Sequence, residues 1–166
     1  LLLIGDFNGD SKTDFLVPQA VDSPTWSLYL STGKSLEKTE LNLEPYVKSW
    51  SGQTHSFSYA YYTLDINGDG KSDVVRVKLE QHKRPWTIND TDSYYEVKAF
   101  TNQINNSTIS FQQTFQYTNG NSDRPHPGTP IVGNFRSHSA NYELLLMKDE
   151  CTSSSAGCNN KTQLVK

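Results

Sequence analysis

Two short stretches, "DFNGDSKTD" at positions 6–14 and "DINGDGKSD" at 65–73, carry nearly the same acidic, glycine-bearing pattern. Each sets Asp, Asn, Asp and Asp at relative positions 1, 3, 5 and 9: Asp6, Asn8, Asp10 and Asp14 in the first, Asp65, Asn67, Asp69 and Asp73 in the second. Three carboxylates within nine residues repel one another unless a counter-charge sits among them. The chain has to fold so that both clusters meet a cation or spread into solvent.

The pattern recurs after 59 residues, and an eroded third copy follows in "VGNFRSHSANYELLLM", where Asn134 takes the place of the first aspartate. The flanks recur with it. "LLLIG", "YYTL" and "PIVG" precede the three loops, and "FLVP", "VVRVKL" and "LLLM" follow them, so each unit reads as strand, tight loop, strand. Farther on, "WSLYL" alternates Trp26, Leu28 and Leu30 with Ser27 and Tyr29, and "YEVKAF" alternates Tyr95, Val97 and Ala99 with Glu96 and Lys98. Period two marks half-buried strands. "SLEKTELNLEPYV" has helix-forming residues, but Pro45 argues against a helix there. The stretches 44–56 and 80–93, rich in Pro, Ser, Gly and charge, read as long loops, and Trp26 and Trp50 as packing residues.

Four strands in a unit of roughly 60 residues is the makeup of a propeller blade. The expected fold is all-β: antiparallel four-stranded blades forming a partial β-propeller, with residues 1–58 as a first repeat, 59–128 as a second and 129–166 as the start of a degenerate third. Propellers close with about four to eight blades, so the expectation is an arc rather than a ring, unless further chain or other copies complete it. "LLLIG" opens as a buried strand without preface, which points the same way.

Ca2+ is the cation that suits these loops, because it takes six to eight oxygen ligands in a flexible shell. Two ions are expected, one per loop. Asp6, Asn8, Asp10 and Asp14 would supply side-chain ligands in the first and Asp65, Asn67, Asp69 and Asp73 in the second, with the carbonyls of Lys12 and Lys71 at position 7 turned inward. Ser11 stands where the second loop has Gly70, which predicts weaker binding by the first. An EF-hand loop needs a bidentate Glu at position 12 and flanking helices; position 12 here is Val17 or Arg76, and strands follow. Mg2+ requires a tighter octahedral shell, and the ligand set lacks the His and Cys that Zn2+ favours. Asn-Gly and Asp-Gly also favour plain hairpin turns, a reading that two matched copies at corresponding strand ends disfavour. The third copy, with Arg136, Ser137 and His138, should hold no ion.

"GDFNGDSKTDFLV" and "LDINGDGKSDVVRV" resemble the FG-GAP or VCBS repeats of integrin-α-like β-propellers. The resemblance implies Ca2+ held in a hairpin loop between the first two strands of a blade. It also implies a secreted or cell-surface, non-catalytic scaffold or a module recognising a protein or glycan. The wording is most similar to bacterial surface or toxin-associated members such as the SpvB-like and Tc/RHS shells. The alternatives are an accessory propeller of a toxin or polysaccharide-degrading enzyme whose catalytic residues lie elsewhere, or a lectin.

The remaining composition narrows the partners. The formal net charge of −3 offers no basic face for nucleic acid, and no apolar run reaches the roughly 20 residues of a membrane helix. The four histidines, His55, His82, His126 and His138, match no catalytic motif. "HKRPWTINDTD" is the best contact surface, with Lys83, Arg84 and Trp86 suited to an acidic or sugar ligand. Cys151 and Cys158, in "CTSSSAGC", are expected to form a disulfide closing a small loop, which implies an oxidising compartment.

Overall fold

The structure, a computed structural model, describes residues 1–83, 91–105, 107–123, 131–133, 143–150 and 159–165. Every regular element among the described residues is a β-strand, and no helix among them is long and apolar enough to cross a membrane.

The first sheet has four strands in chain order, β1 (Leu3–Gly5), β2 (Asp14–Pro18), β3 (Thr25–Ser31) and β4 (Leu36–Asn42). Its neighbours are antiparallel, with Gly5 opposite Asp14 and Trp26 opposite both Pro18 and Leu41. The alternation in "WSLYL" decides which face turns inward. Trp26 and Leu28 are fully buried and Leu30 packs partly buried beside them, each removing apolar surface worth about 2 kcal/mol from water. The helix-forming residues 36–42 are a strand because β4 completes the sheet against β3. Its exposed Glu37, Lys38 and Glu40 charge an otherwise open edge.

The second sheet runs β5 (Trp50–Ser51), β6 (His55–Leu64), β7 (Asp73–Lys83), β8 (Thr91–Asn105) and β9 (Thr108–Asp123), again in chain order. It has five strands where four are expected. Strand also replaces loop at 50–51, 55–56, 80–83 and 91–93. Backbone pairing holds these polar residues: the Gly52 amide donates to the His55 carbonyl and the Lys83 amide to the Thr54 carbonyl, both at 2.9 Å. A third antiparallel sheet contains β10 (Ile131–Gly133), β11 (Glu143–Glu150) and β12 (Asn159–Val165). Its last register pair, Glu150 with Asn159, flanks Cys151 and Cys158 in sequence. The cysteines themselves, and the loop with Asn134, Arg136, Ser137 and His138, lie outside the described residues.

The chain divides into two compact units. One comprises Leu1–Lys48, Tyr61–Arg76 and Lys98–Phe115, the other Ser49–Ala60, Val77–Val97 and Gln116–Lys166. Leu3, Phe7, Leu16, Trp26, Leu28, Val74 and Phe100 form the core of the first. Trp26 meets Tyr46 edge-on and Tyr61 at a tilt, and its indole N–H donates to the Glu44 carbonyl. Glu44 receives Arg76 at 2.6 Å and Lys98 at 2.5 Å, so the nearly buried Arg76 is neutralised where it lies.

Two packing expectations are corrected. "LLLIG" is not a buried strand: Leu3 is buried, whereas Leu1, Leu2 and Ile4 are about half exposed, because β1 is the edge of its sheet. Trp50 is likewise 52 % exposed on the two-residue edge strand β5, lying against Phe57 and His55 rather than in a core.

Candidate metal centre

Both acidic loops join antiparallel strands, β1 to β2 and β6 to β7, and both lie in the first compact unit. In the first, Asp6 gathers three backbone donors: Oδ1 accepts from the amides of Gly9 (2.7 Å) and Asp10 (3.1 Å), and Oδ2 from Ser11 (2.7 Å). Asn8 Oδ1 accepts from the Asp10 amide at 3.1 Å, and Asp10 Oδ1 from the Lys12 amide at 2.9 Å. The second loop repeats this atom for atom. Asp65 takes Gly68, Asp69 and Gly70, Asn67 takes Asp69, and Asp69 takes Lys71, at 2.7–3.2 Å. Short Asp and Asn side chains make such turns because each reaches a backbone amide two or more residues on.

The wrap requires left-handed backbone at two points. Gly9 and Gly68 adopt φ of 79° and 78° at no steric cost. At the sixth position Gly70 adopts 81°, whereas the first loop places Ser11 there at 63°, a conformation that costs a side-chain-bearing residue about 1 kcal/mol.

Positions 5 and 9 behave differently. At position 5, Asp10 and Asp69 each carry the ammonium of the position-7 lysine: Lys12 Nζ lies 2.7 Å from Asp10 Oδ2 and Lys71 Nζ 2.6 Å from Asp69 Oδ2. The Lys12 side-chain hydrogen bond holds Asp10 below the ordinary aspartate range. For Asp69 partial burial pushes upward, and the hydrogen bonds from the Lys71 side chain, the Lys71 amide and Asn67 together outweigh it. At position 9, Asp14 and Asp73 are fully buried. Asp14 accepts from the amides of Phe7 (2.9 Å) and Ser31 (2.8 Å), and Asp73 from Ile66 (2.8 Å) and Asn102 (2.7 Å). Each ties its loop to the second strand beyond it, β3 or β8. Burial raises the pKa of Asp73 in spite of the two amides, and the charges of Asp69 and Asp65 add to the rise.

Asp6, Asn8 and Asp10, like Asp65, Asn67 and Asp69, are thus arranged within loops that present oxygen donors only. A lysine ammonium already lies on one carboxylate of each, as a stand-in for positive charge. That donor chemistry fits a hard divalent cation.

The two loops also bond to each other. The Ser72 amide donates to the Asp6 carbonyl at 2.6 Å, and Ser72 Oγ accepts from the Asp6 amide at 3.0 Å. Asn102 Nδ2 donates to the carbonyls of Phe7 (2.7 Å) and Ser72 (3.2 Å). Gly5 permits this approach, since a Cβ there would lie 2.4 Å from Ser72 Oγ. Sequence reading misses Ser72, Asn102 and Ser31. The only signal was that Ser72 stands inside the second motif, next to its last aspartate.

Of the expected contact surface, Lys83 is exposed at the end of β7, while Arg84 and Trp86 lie outside the described residues. A group that no sequence motif marks is His55, Glu80 and His82, whose ligand atoms lie within 4.8 Å of one another. Its one sequence signal is Glu80-x-His82, two residues apart and so on one face of a strand.

Residues 6–76, from the first aspartate of the first loop to the strand after the second, match the FG-GAP-like repeat, and FG-GAP repeats form β-propeller blades. No curated protein and no solved structure matches the chain.

Proposed function

We propose that this β-propeller-type module binds two Ca2+ ions and serves as a non-catalytic scaffold or recognition segment of a secreted or cell-surface protein, with a protein or glycan as its partner. The observation that carries the reading is the identical wiring of the two loops, in which five hydrogen bonds from backbone amides to side-chain oxygens repeat position by position across 59 residues of chain. Hairpin turns need no such repetition of carboxylates.

Within each loop the residues divide the work. Asp6 and Asp65 curl the backbone by collecting three amides, and Asp14 and Asp73 fix the loop to its sheet. Asp10 and Asp69 keep an oxygen on the lysine ammonium, which a bound ion would replace. Ca2+ supplies the charge that lets the carboxylates lie together, and so stiffens the end of the hairpin. The aspartates of both motifs are occupied in this way, which favours a structural over an acid–base role. An extracellular setting with millimolar calcium suits the affinity expected of such modules, on the order of 10⁻⁴ to 10⁻³ M.

Calorimetric titration with Ca2+ tests the reading. The chain should take up two ions and Asp69→Ala one, since that change deletes a charged ligand and leaves Asp65 and Asp73 in place. Unchanged stoichiometry in the variant would count against it. A glycan array on the calcium-loaded chain separates the lectin alternative, which predicts binding, from a protein scaffold, which does not.

A further inference from the structure

We infer that His55, Glu80 and His82 form a second kind of metal site, for one borderline divalent cation such as Zn2+, separate from the oxygen-only loops. All three belong to the second compact unit. Glu80 and His82 project from one face of β7, and His55 begins β6 beside them, brought into register by the hydrogen bond from the Lys83 amide to the Thr54 carbonyl.

Both imidazoles direct Nε2 at the same carboxylate oxygen. Glu80 Oε1 lies 3.1 Å from His55 Nε2 and 2.9 Å from His82 Nε2, and the two rings stack with centroids 4.2 Å apart. His55 Nε2 is buried and makes no hydrogen bond of good geometry among the described residues, and it faces into the cluster. Ligands on a tetrahedron of Zn–N and Zn–O bonds near 2.0 Å are separated by about 3.3 Å. The two nitrogen–oxygen spacings fall short of this by only a few tenths of an ångström, and all three ligand atoms lie within 4.8 Å of one another.

The surroundings suit this use. Lys78 Nζ holds the other oxygen, Glu80 Oε2, at 2.6 Å and keeps the carboxylate oriented with Oε1 toward the rings. Tyr94 meets His82 edge-on, and Trp50 and Phe57 meet His55 in the same way, which restricts ring rotation. Two imidazole nitrogens and one carboxylate oxygen are poor ligands for Ca2+ and good ones for Zn2+, Ni2+ or Cu2+. Three protein ligands leave a fourth position open for water or an external donor.

The test uses the full chain saturated with Ca2+, so that the acidic loops are filled, and Co2+ as a spectroscopic probe that Zn2+ then displaces. The expected result is one Co2+ per chain with the intense visible bands of four-coordination, lost on adding one equivalent of Zn2+. His55→Ala and His82→Ala should each weaken binding by more than about 10-fold, with calcium stoichiometry and the β-sheet circular dichroism unchanged. Should either variant fail to fold, imidazole ¹⁵N shifts of the unaltered chain on adding Zn2+ at constant pH decide, because coordination at Nε2 moves the resonance of that nitrogen in both His55 and His82. A weak six-coordinate Co2+ spectrum, equal uptake by folded His82→Ala, or unmoved imidazole resonances would overturn the inference.

Discussion

The first and second acidic loops gather the same amides onto the same side-chain oxygens, yet they are fixed to the fold differently. Asp14 of the first ends on the Ser31 amide, whose side chain goes no further into the other loop. Asp73 of the second ends on the Asn102 amide, and Asn102 then reaches back to the carbonyls of Phe7 and Ser72. Both backbone groups of Asp6 in turn rest on Ser72. The second loop therefore supports the first, while the first carries the strained Ser11 that the second avoids with Gly70. Matched motifs need not be equal partners. Position along the chain does not say which is the buttress.

Removing the anchor gives the largest expected effect. Asp73→Ala strands the buried amide of Asn102 and the half-buried amide of Ile66, at roughly 1–3 kcal/mol each, and should loosen both loops. Asp14→Ala strands Phe7 and Ser31 at similar cost and should loosen only the first. Thermal unfolding with amide exchange resolved by loop checks this, and equal spread from both variants would dissolve the asymmetry. Next comes Gly5→Ala, whose new methyl meets Ser72 and should cost about 1–3 kcal/mol by overpacking. It should lower the calcium affinity of the first loop more than that of the second.

Exchanging the sixth positions has a smaller effect of opposite sign. Ser11→Gly should stabilise the first loop and Gly70→Ala destabilise the second, each by about 1 kcal/mol. A Cβ at Gly70 meets nothing within 4 Å, so the backbone conformation alone is responsible. Changes of the same sign in paired melting curves would contradict this.

The smallest effect is a difference in acid response of the calcium-free chain. Asp10 and Asp69 have lowered values, so their stabilisation is present above the ordinary value of 3.8 and is lost as pH falls through the lowered one. Asp73 has a raised value, so its contribution is full below 3.8 and is lost as pH rises through the raised one. In the second loop the two trends oppose each other. Amide protection in the first loop should therefore fall earlier on acidification, as hydrogen exchange on a pH series would show.

The loops were legible in the sequence because the wiring is written in side-chain identity: an Asp or Asn at positions 1, 3 and 5 reaches only its own neighbours. The strands of the first sheet were legible for a similar reason, since Trp26 and Leu28 mark its buried face. Residues 80–83 and 91–93 were not, because they are held in strands by backbone pairing while their composition is that of a loop. Asn102 carries no local signal at all, since its partner Phe7 lies 95 residues away. Trp50 was misplaced because a large ring predicts burial, whereas a two-residue edge strand leaves it half in solvent. His55 and Glu80 meet only when β6 lies beside β7, a pairing that no spacing rule encodes.

A crystal structure of the chain in millimolar calcium, with anomalous scattering to identify the ion, puts the central claim to its most direct test. The account predicts one ion in each loop, about 2.3–2.6 Å from oxygens of Asp6, Asn8 and Asp10 or of Asp65, Asn67 and Asp69, with Lys12 and Lys71 displaced from their carboxylates. Both lysine ammoniums still seated on Asp10 and Asp69, with no anomalous peak in either loop, would contradict it.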